Sequence, residues 1–257
     1  MISIVMAQHN RRQQLINTLN SIDYWRYAPI EVIIVDDSDM VTENINDLPD
    51  KYQFPIHIIK IRHKTWSASL VSFNIGFDKV SGGTVIIQNP ECMHIGNVLR
   101  YVQEHSKMGK YLSFAAYSLD YSLGNVNFKE EKDNLRKIAL TGDTFLKGHS
   151  GWYNHSFYRP VGYHFCTAIS RSDLEKINGF DERYKDGISH DDVEMLTRIE
   201  NAGIERVIVD DPFVIHQYHA RTNAKRGDPR WQKNFKQYHN TLIENIVKAP
   251  KNTYYAR

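Results

Sequence analysis

Only two cysteines, Cys92 and Cys166, occur in 257 residues, and neither belongs to a CxxC pair. That excludes a disulfide framework or a zinc knuckle and fits a reducing compartment. No apolar run approaches the roughly 18 residues a membrane span needs. The opening MISIVMAQHN lacks the basic leader and the length of a signal peptide. The expectation is a soluble, cytoplasmic protein. Charge of one sign is also missing: 32 Lys and Arg against 30 Asp and Glu leave +2, too little for a general nucleic-acid or membrane-surface binder. Glycine is absent from Ala7-Gln8-His9-Asn10, the turn after the first apolar run, so no glycine-rich phosphate loop sits there. A nucleotidylyltransferase, which would need one, is disfavoured.

What remains is an ordinary globular balance, 41% hydrophobic and 24% charged, with length for one large α/β domain or two small ones. Short apolar runs at Ile2–Met6, Glu31–Val35, Ile56–Ile61 and Thr84–Ile87 predict strands. Between them lie a helix with Leu15, Ile16, Leu19 and Ile22 on one face and another over Ser67–Val80. Continuous apolar strands alternating with helices imply a mostly parallel sheet covered on both faces. Further on, a helix at Asn97–Met108 and strands at Tyr111–Tyr117, Phe165–Ile169, Arg206–Val209 and Phe213–His216 are predicted. So are helices over Ser172–Ile177, from Asp191-Asp192 to about Ala202, and over Trp231–Val247. Leu119–Gly162 shows no clear periodicity, and its aromatics argue for a functional lid rather than disorder. Arg221–Arg230 reads as a basic loop.

In such sheets ligands bind beyond the carboxyl ends of the strands. Three polar clusters fall there: Ala7–Asn10, Asp36-Asp37-Ser38-Asp39 and Gln88-Asn89-Pro90-Glu91. Asp36-Asp37 can hydrogen-bond a nucleobase or ribose, or simply make an Asx turn. Asn10 can contact a nucleotide but is better placed to N-cap the following helix. Glu91 offers the hard carboxylate that Mg²⁺ or Mn²⁺ needs against a diphosphate, whereas Asn89 offers a neutral amide oxygen. His216 and His219 form an H-x-x-H after a predicted strand, with His219 the better candidate for a metal ligand. Arg221, Lys225 and Arg226 can neutralise a diphosphate. Asp191 and Asp192 sit at a helix N-terminus, where the dipole favours an ionised carboxylate able to take a proton.

Together these residues resemble the inverting family 2 glycosyltransferases of GT-A fold, from Ile2 to about Arg221. The family's P-T-Y-N-R-like turn corresponds to Ala7-Gln8-His9-Asn10-Arg11, and its V-D-D-x-S turn to Val35-Asp36-Asp37-Ser38. An R-N-x-G pattern appears as Phe73-Asn74-Ile75-Gly76, without the Arg. The D-x-D becomes Asn89-Pro90-Glu91, and G-F-D-E followed by E-D becomes Gly179-Phe180-Asp181-Glu182 and Asp191-Asp192. A divergent variant with Gln-Asn-Pro-Glu and Trp-Tyr-Asn-His segments is similar too, at Gln88–Glu91 and Trp152–His155. The resemblance implies a Rossmann-like GT-A domain over 1–230, with a nucleotide-binding half at 1–95 and an acceptor and catalytic half at 96–230. The final helix and tail occupy 231–257.

The same resemblance implies a nucleotide-sugar donor, UDP-linked by preference, held by Ala7, His9, Asn10, Arg11, Asp36, Asp37, Asn89 and Arg221, with Asp37 on the base. Mn²⁺ or Mg²⁺ would be held by Glu91, His219 and then His216, less firmly than by an intact D-x-D. Asp192 would be the general base, with Asp191 capping the helix and orienting it. Trp152 and Tyr153, in the aromatic segment Trp152–Tyr163, would either offer an aromatic wall to a glycan or other hydroxyl acceptor or pack into the core. Two other readings compete. One is a catalytically silent sugar-nucleotide or glycan-binding module; the other is a metallohydrolase built on Asp191, Asp192, His216 and His219.

Overall fold

The computed structural model describes residues 1–220, 227–250 and 252–255. In chain order its first elements are β1 (Ile2–Gln8), α1 (Arg12–Tyr24), β2 (Ile30–Asp36), β3 (Ile56–Lys60), α2 (Leu70–Phe77), β4 (Thr84–Gln88) and β5 (Cys92–Ile95). Then come α3 (Val98–His105), β6 (Lys110–Ser118), α4 (Phe128–Thr141), β7 (Gly151–Asn154), β8 (Cys166–Ser170) and α5 (Arg171–Ile177). The last are α6 (Asp191–Asn201), β9 (Glu205–His216) and α7 (Pro229–Glu244). A single nine-stranded sheet runs β3-β2-β1-β4-β8-β6-β9-β5, with β7 added to β6. Its first four strands are parallel. β8 then runs antiparallel between β4 and β6.

The apolar strands explain this arrangement. Along β1, β2 and β4 successive side chains alternate between two packing clusters. Ile4, Val32 and Ile86 pack with Leu15 and Leu19 of α1, while Val5, Ile33 and Ile87 pack with Phe73 and Phe77 of α2. Each such burial stabilises the fold by roughly 1.5–3 kcal/mol, so a one-residue slip in register would be heavily penalised. Helices on both faces leave the carboxyl edge of the parallel strands open. Cys92 and Cys166 are free and buried. Among the described residues no helix is long and apolar enough to cross a membrane.

Several expectations change. The stretch 119–162, expected to be a lid without regular structure, holds α4 and β7, which form a third cluster with β5 and β6. The two strands expected at 206–216 are one strand, which pairs with β6 on both sides of a register shift. β5 was not expected at all. Asn10 does not cap α1. Its backbone is left-handed (φ 50°), and its side chain instead ties down the turn after β2, donating to Asp39 at 2.6 Å and accepting from Met40 N–H. The first helical N–H, of Arg12, goes to the Glu43 carboxylate at 2.6 Å.

Candidate active site

The carboxyl ends of β1, β2 and β4 open into a cleft of about 470 Å³, within the usual size range of a small-ligand site. Ala7, His9 and Arg11 line it from the end of β1, Asp37 from the end of β2, and Asn89-Pro90-Glu91 from the end of β4. His164, Asp191, Asp192 and His219 come from the second half of the chain.

Asp36 and Asp37 divide their work. Asp36 is fully buried, held by Lys60 Nζ at 2.7 Å and by the Ser38 N–H, so it shapes the turn and does not reach the cleft. Asp37 faces the cleft, gripped by Lys64 Nζ (2.7 Å), His9 Nδ1 (2.9 Å) and the Ser72 hydroxyl (3.2 Å). Lys64 is a cation that sequence reasoning did not single out.

Glu91 sits in the tight turn between β4 and β5. Asn89 N–H bonds to Phe165 O, Cys92 N–H closes the turn on Asn89 O, and Gln217 N–H takes Glu91 O. β5 pairs with β9 so that Cys92 faces His216, which brings both histidines onto the same carboxylate. Glu91 Oε1 lies 3.4 Å from His216 Nε2 and 3.6 Å from His219 Nε2, while Oε2 accepts from Arg11 Nη1 at 2.8 Å. Burial opposes ionisation of Glu91, yet Arg11 and the two imidazoles overcome it and hold its carboxyl well below the usual range. The ligand atoms of Glu91, His216 and His219 all lie within 4.8 Å of one another. His219 Nδ1 donates to the Ala220 carbonyl at 2.8 Å, which leaves Nε2, 3.6 Å from Glu91 Oε1, as the nitrogen that would ligate a cation once it is deprotonated. One carboxylate and two imidazoles fit a divalent cation of the Mn²⁺ kind better than Mg²⁺, which prefers oxygen alone. His216 is the deeper of the two imidazoles.

The opposite wall is the loop into α6. Asn178 and Gly179 end α5 in left-handed conformation, and a Cβ on Gly179 would stand 2.5 Å from Asn74 Oδ1, so only glycine fits. Asn74 donates to Phe180 O and Glu182 Oε1, and Asn234 of α7 donates to Tyr184 O and Ser189 O. Ser189 and His190 are both left-handed at φ 67° and 71°, a conformation costly for non-glycine residues, and α6 begins immediately after them. The N-cap is His190, not Asp191, and neither side chain caps the helix. Asp191 is its first residue. Burial, then the neighbouring charge of Asp192, push its carboxyl up to about 7, against the pull of His164. Asp192 keeps its carboxylate in the cleft, with His164 Nδ1 in very close contact with Oδ1.

The cleft therefore gathers Ala7, His9, Arg11, Asp37, Asn89, Glu91, His219, Asp191 and Asp192, with His216 just behind. Asp36 and Asn10 stand outside it. Arg221 lies outside the described residues, as do Lys225 and Arg226; Arg230 lines the cleft instead. Trp152 and Tyr153 do not form an acceptor wall. Both are nearly fully buried, Trp152 against Tyr117 and Phe213, Tyr153 against Phe165 and His216. His164 was missed, because nothing in its local sequence sets it apart.

A Rossmann-like sheet with such a cleft at its carboxyl edge is the GT-A class of fold. The profile of Glycosyl transferase family 2 matches residues 3–177, more than half of the chain, and the chain belongs to that family. No curated protein sequence matches it significantly. Among solved structures it is similar to the mannosyltransferase PcManGT from Pyrobaculum calidifontis in complex with GDP-Man and Mn²⁺ (TM-score 0.55, 15% identity, 97% of this chain and 65% of that one). It is also similar to residues 1–349 of S. aureus TarS. With UDP bound, that structure gives a TM-score of 0.64 at 12% identity, over 98% of this chain and 67% of that one. With UDP-GlcNAc the TM-score is 0.66 at 11% identity, over 94% and 66%. At these identities the likeness is one of fold, and this chain spans about two thirds of each.

Proposed function

We propose that this chain transfers a sugar from a nucleotide-diphosphate donor, UDP-linked by preference, to a hydroxyl of a glycan, with inversion at the anomeric carbon. One observation carries the reading. A single cleft holds the Asp37 turn, the Glu91–imidazole cluster with Arg11, and the Asp192 carboxylate, which are the three functions that direct displacement requires. The three structures named above were obtained with GDP-Man and Mn²⁺, UDP or UDP-GlcNAc bound, which supports a nucleotide-sugar donor.

In this reading Asp37, with Lys64 and His9, receives the base and ribose end of the donor. Arg11, Lys64 and Arg230 bring positive charge to the diphosphate. Asp192 takes the proton of the acceptor hydroxyl. The oxygen's electron pair forms the new C–O bond as the bond to the diphosphate oxygen breaks, and the charge leaves with the nucleotide. Glu91, His219 and His216 would hold a divalent cation, whose contribution when bound is to stabilise the departing diphosphate.

A thermal-shift panel of nucleotide sugars and free nucleotides, with and without Mn²⁺, tests the donor site, because a ligand that binds only the native state must raise its stability. A shift with a UDP-sugar that grows with Mn²⁺ is the expected result; no shift with any nucleotide would reject the reading. In the same assay Glu91→Ala is expected to weaken UDP binding mainly when Mn²⁺ is present. An equal loss with and without the metal would make Glu91 a structural partner of Arg11 alone.

A further inference from the structure

His164 has no role in the reaction as described, yet it is the group nearest the base. It immediately precedes Phe165 and β8, its side chain is 10% exposed, and its ring is wedged edge-on between Phe73 of α2 and Phe180 at 5.3 and 4.9 Å. The wedge leaves the imidazole little freedom, and its Nδ1 meets Asp192 Oδ1. A carboxylate oxygen can only accept, so this contact is favourable only with a proton on Nδ1. His164 also lines the cleft.

We propose that His164 is a positioning residue for Asp192: Nδ1–H fixes one carboxylate oxygen, leaving the other for the acceptor hydroxyl, and the second ring proton governs how strong a base Asp192 is. This inference rests on Asp192 being the base. The charged groups facing the imidazole are Asp192 and Asp191 from α6 and, farther off, Glu91 from the β4–β5 turn; α2 and the segment after α5 present the Phe73 and Phe180 rings. Burial disfavours the imidazolium, but these carboxylates outweigh it, Asp192 foremost, and raise the pKa of His164 above the ordinary histidine value. The sign follows. While both ring nitrogens are protonated, the imidazolium stabilises ionised Asp192 and makes it a poorer proton acceptor. As pH rises through the elevated pKa, the cation is lost, the Nδ1 hydrogen bond remains, and Asp192 becomes the stronger base.

Two measurements on the full chain test this. The first is an NMR titration of the histidine Cε1–H resonances in wild type, His164→Asn and Asp192→Asn, which needs no ligand. One resonance, absent from His164→Asn, should titrate above the ordinary histidine range and fall back in Asp192→Asn. A His164 resonance that does not respond to Asp192→Asn overturns the proposal, whatever the activity results. The second is UDP release with water as acceptor from UDP-glucose, UDP-galactose and UDP-N-acetylglucosamine across about pH 5 to 9. Wild-type turnover should rise with pH through neutrality. Asparagine places an amide N–H near the position of Nδ1 but cannot titrate, so His164→Asn should stay within about threefold of the wild-type maximum with a flattened profile. His164→Ala should lose about 10- to 100-fold in kcat with an unchanged KM for donor, the scale of a misplaced catalytic group. A merely structural role would instead lower the melting temperature and kcat of both variants alike and leave the pH profile in place. If Asp192→Asn itself hydrolyses donor normally, it is the base assignment that falls. If Asp192→Asn is inactive while both His164 variants behave as wild type, only the present inference falls.

Discussion

Asp192→Asn is expected to bind nucleotide sugar as wild type does and to lose about 10²- to 10⁴-fold in turnover, the range a positioned general base supplies. The substitution keeps the size of the side chain and a carbonyl oxygen that can still accept from His164, so the cleft should not collapse. It removes only the ability to hold a proton. Binding and chemistry should therefore separate, with the loss confined to kcat, as for an interaction made only in the transition state. Donor affinity by calorimetry and turnover by nucleotide release check this together. Turnover within about threefold of wild type would move the base elsewhere.

The largest effect on stability is expected one turn further along the same helix. Arg198 and Glu194 are both fully buried, joined by Nε–Oε1 and Nη2–Oε2 contacts of 2.5 and 2.8 Å. Arg198 Nη1 also donates to the carbonyls of Ile177 and Gly179. The guanidinium thus rivets α6 to the end of α5 and the loop beyond it. Arg198→Met should cost about 3–5 kcal/mol, because it leaves a buried carboxylate unpaired and two carbonyls without donors. Adding Glu194→Leu should recover part of that loss by removing the stranded charge, though not the carbonyl contacts. Denaturant midpoints of the two variants decide the matter. A loss under about 1 kcal/mol for the single change would mean that the pair contributes little net stability.

Much of the first half of the fold could be read from the chain, because β1, β2 and β4 are continuous apolar runs that both sheet faces need. Asp37 and Glu91 were readable for the same reason, since each lies in the polar cluster that follows such a run. The rest was hidden by specific circumstances. In α4 only Phe128, Leu135 and Ala139 are buried, a stripe too narrow to show as periodicity amid its charges. In β7 the neighbours Trp152 and Tyr153 are both buried, one in each of two clusters, so no alternation marks the strand and the aromatics look available for a ligand. β5 is four residues long, and one of them is a histidine. His164 meets Asp192 because β8 and α6 converge in space, and no sequence spacing encodes that.

The pairing of β5 with β9 has a consequence for how the protein folds and how it can be dissected. It joins Cys92 to His216, so the carboxylate and the imidazoles of one cluster come from segments far apart in the chain. Contacts of such sequence separation form late and slow folding, because a long loop must be closed before they contribute. The cluster should therefore assemble only in the native state, so a paramagnetic ion, if the proposed site binds one, would report complete folding. It also means that the stretch matching the family, residues 3–177, carries Asp37 and Glu91 but neither His216, His219 nor Asp192. A fragment cut there would keep Asp37, Arg11 and Glu91 but lack the imidazoles of the cluster and the proposed base.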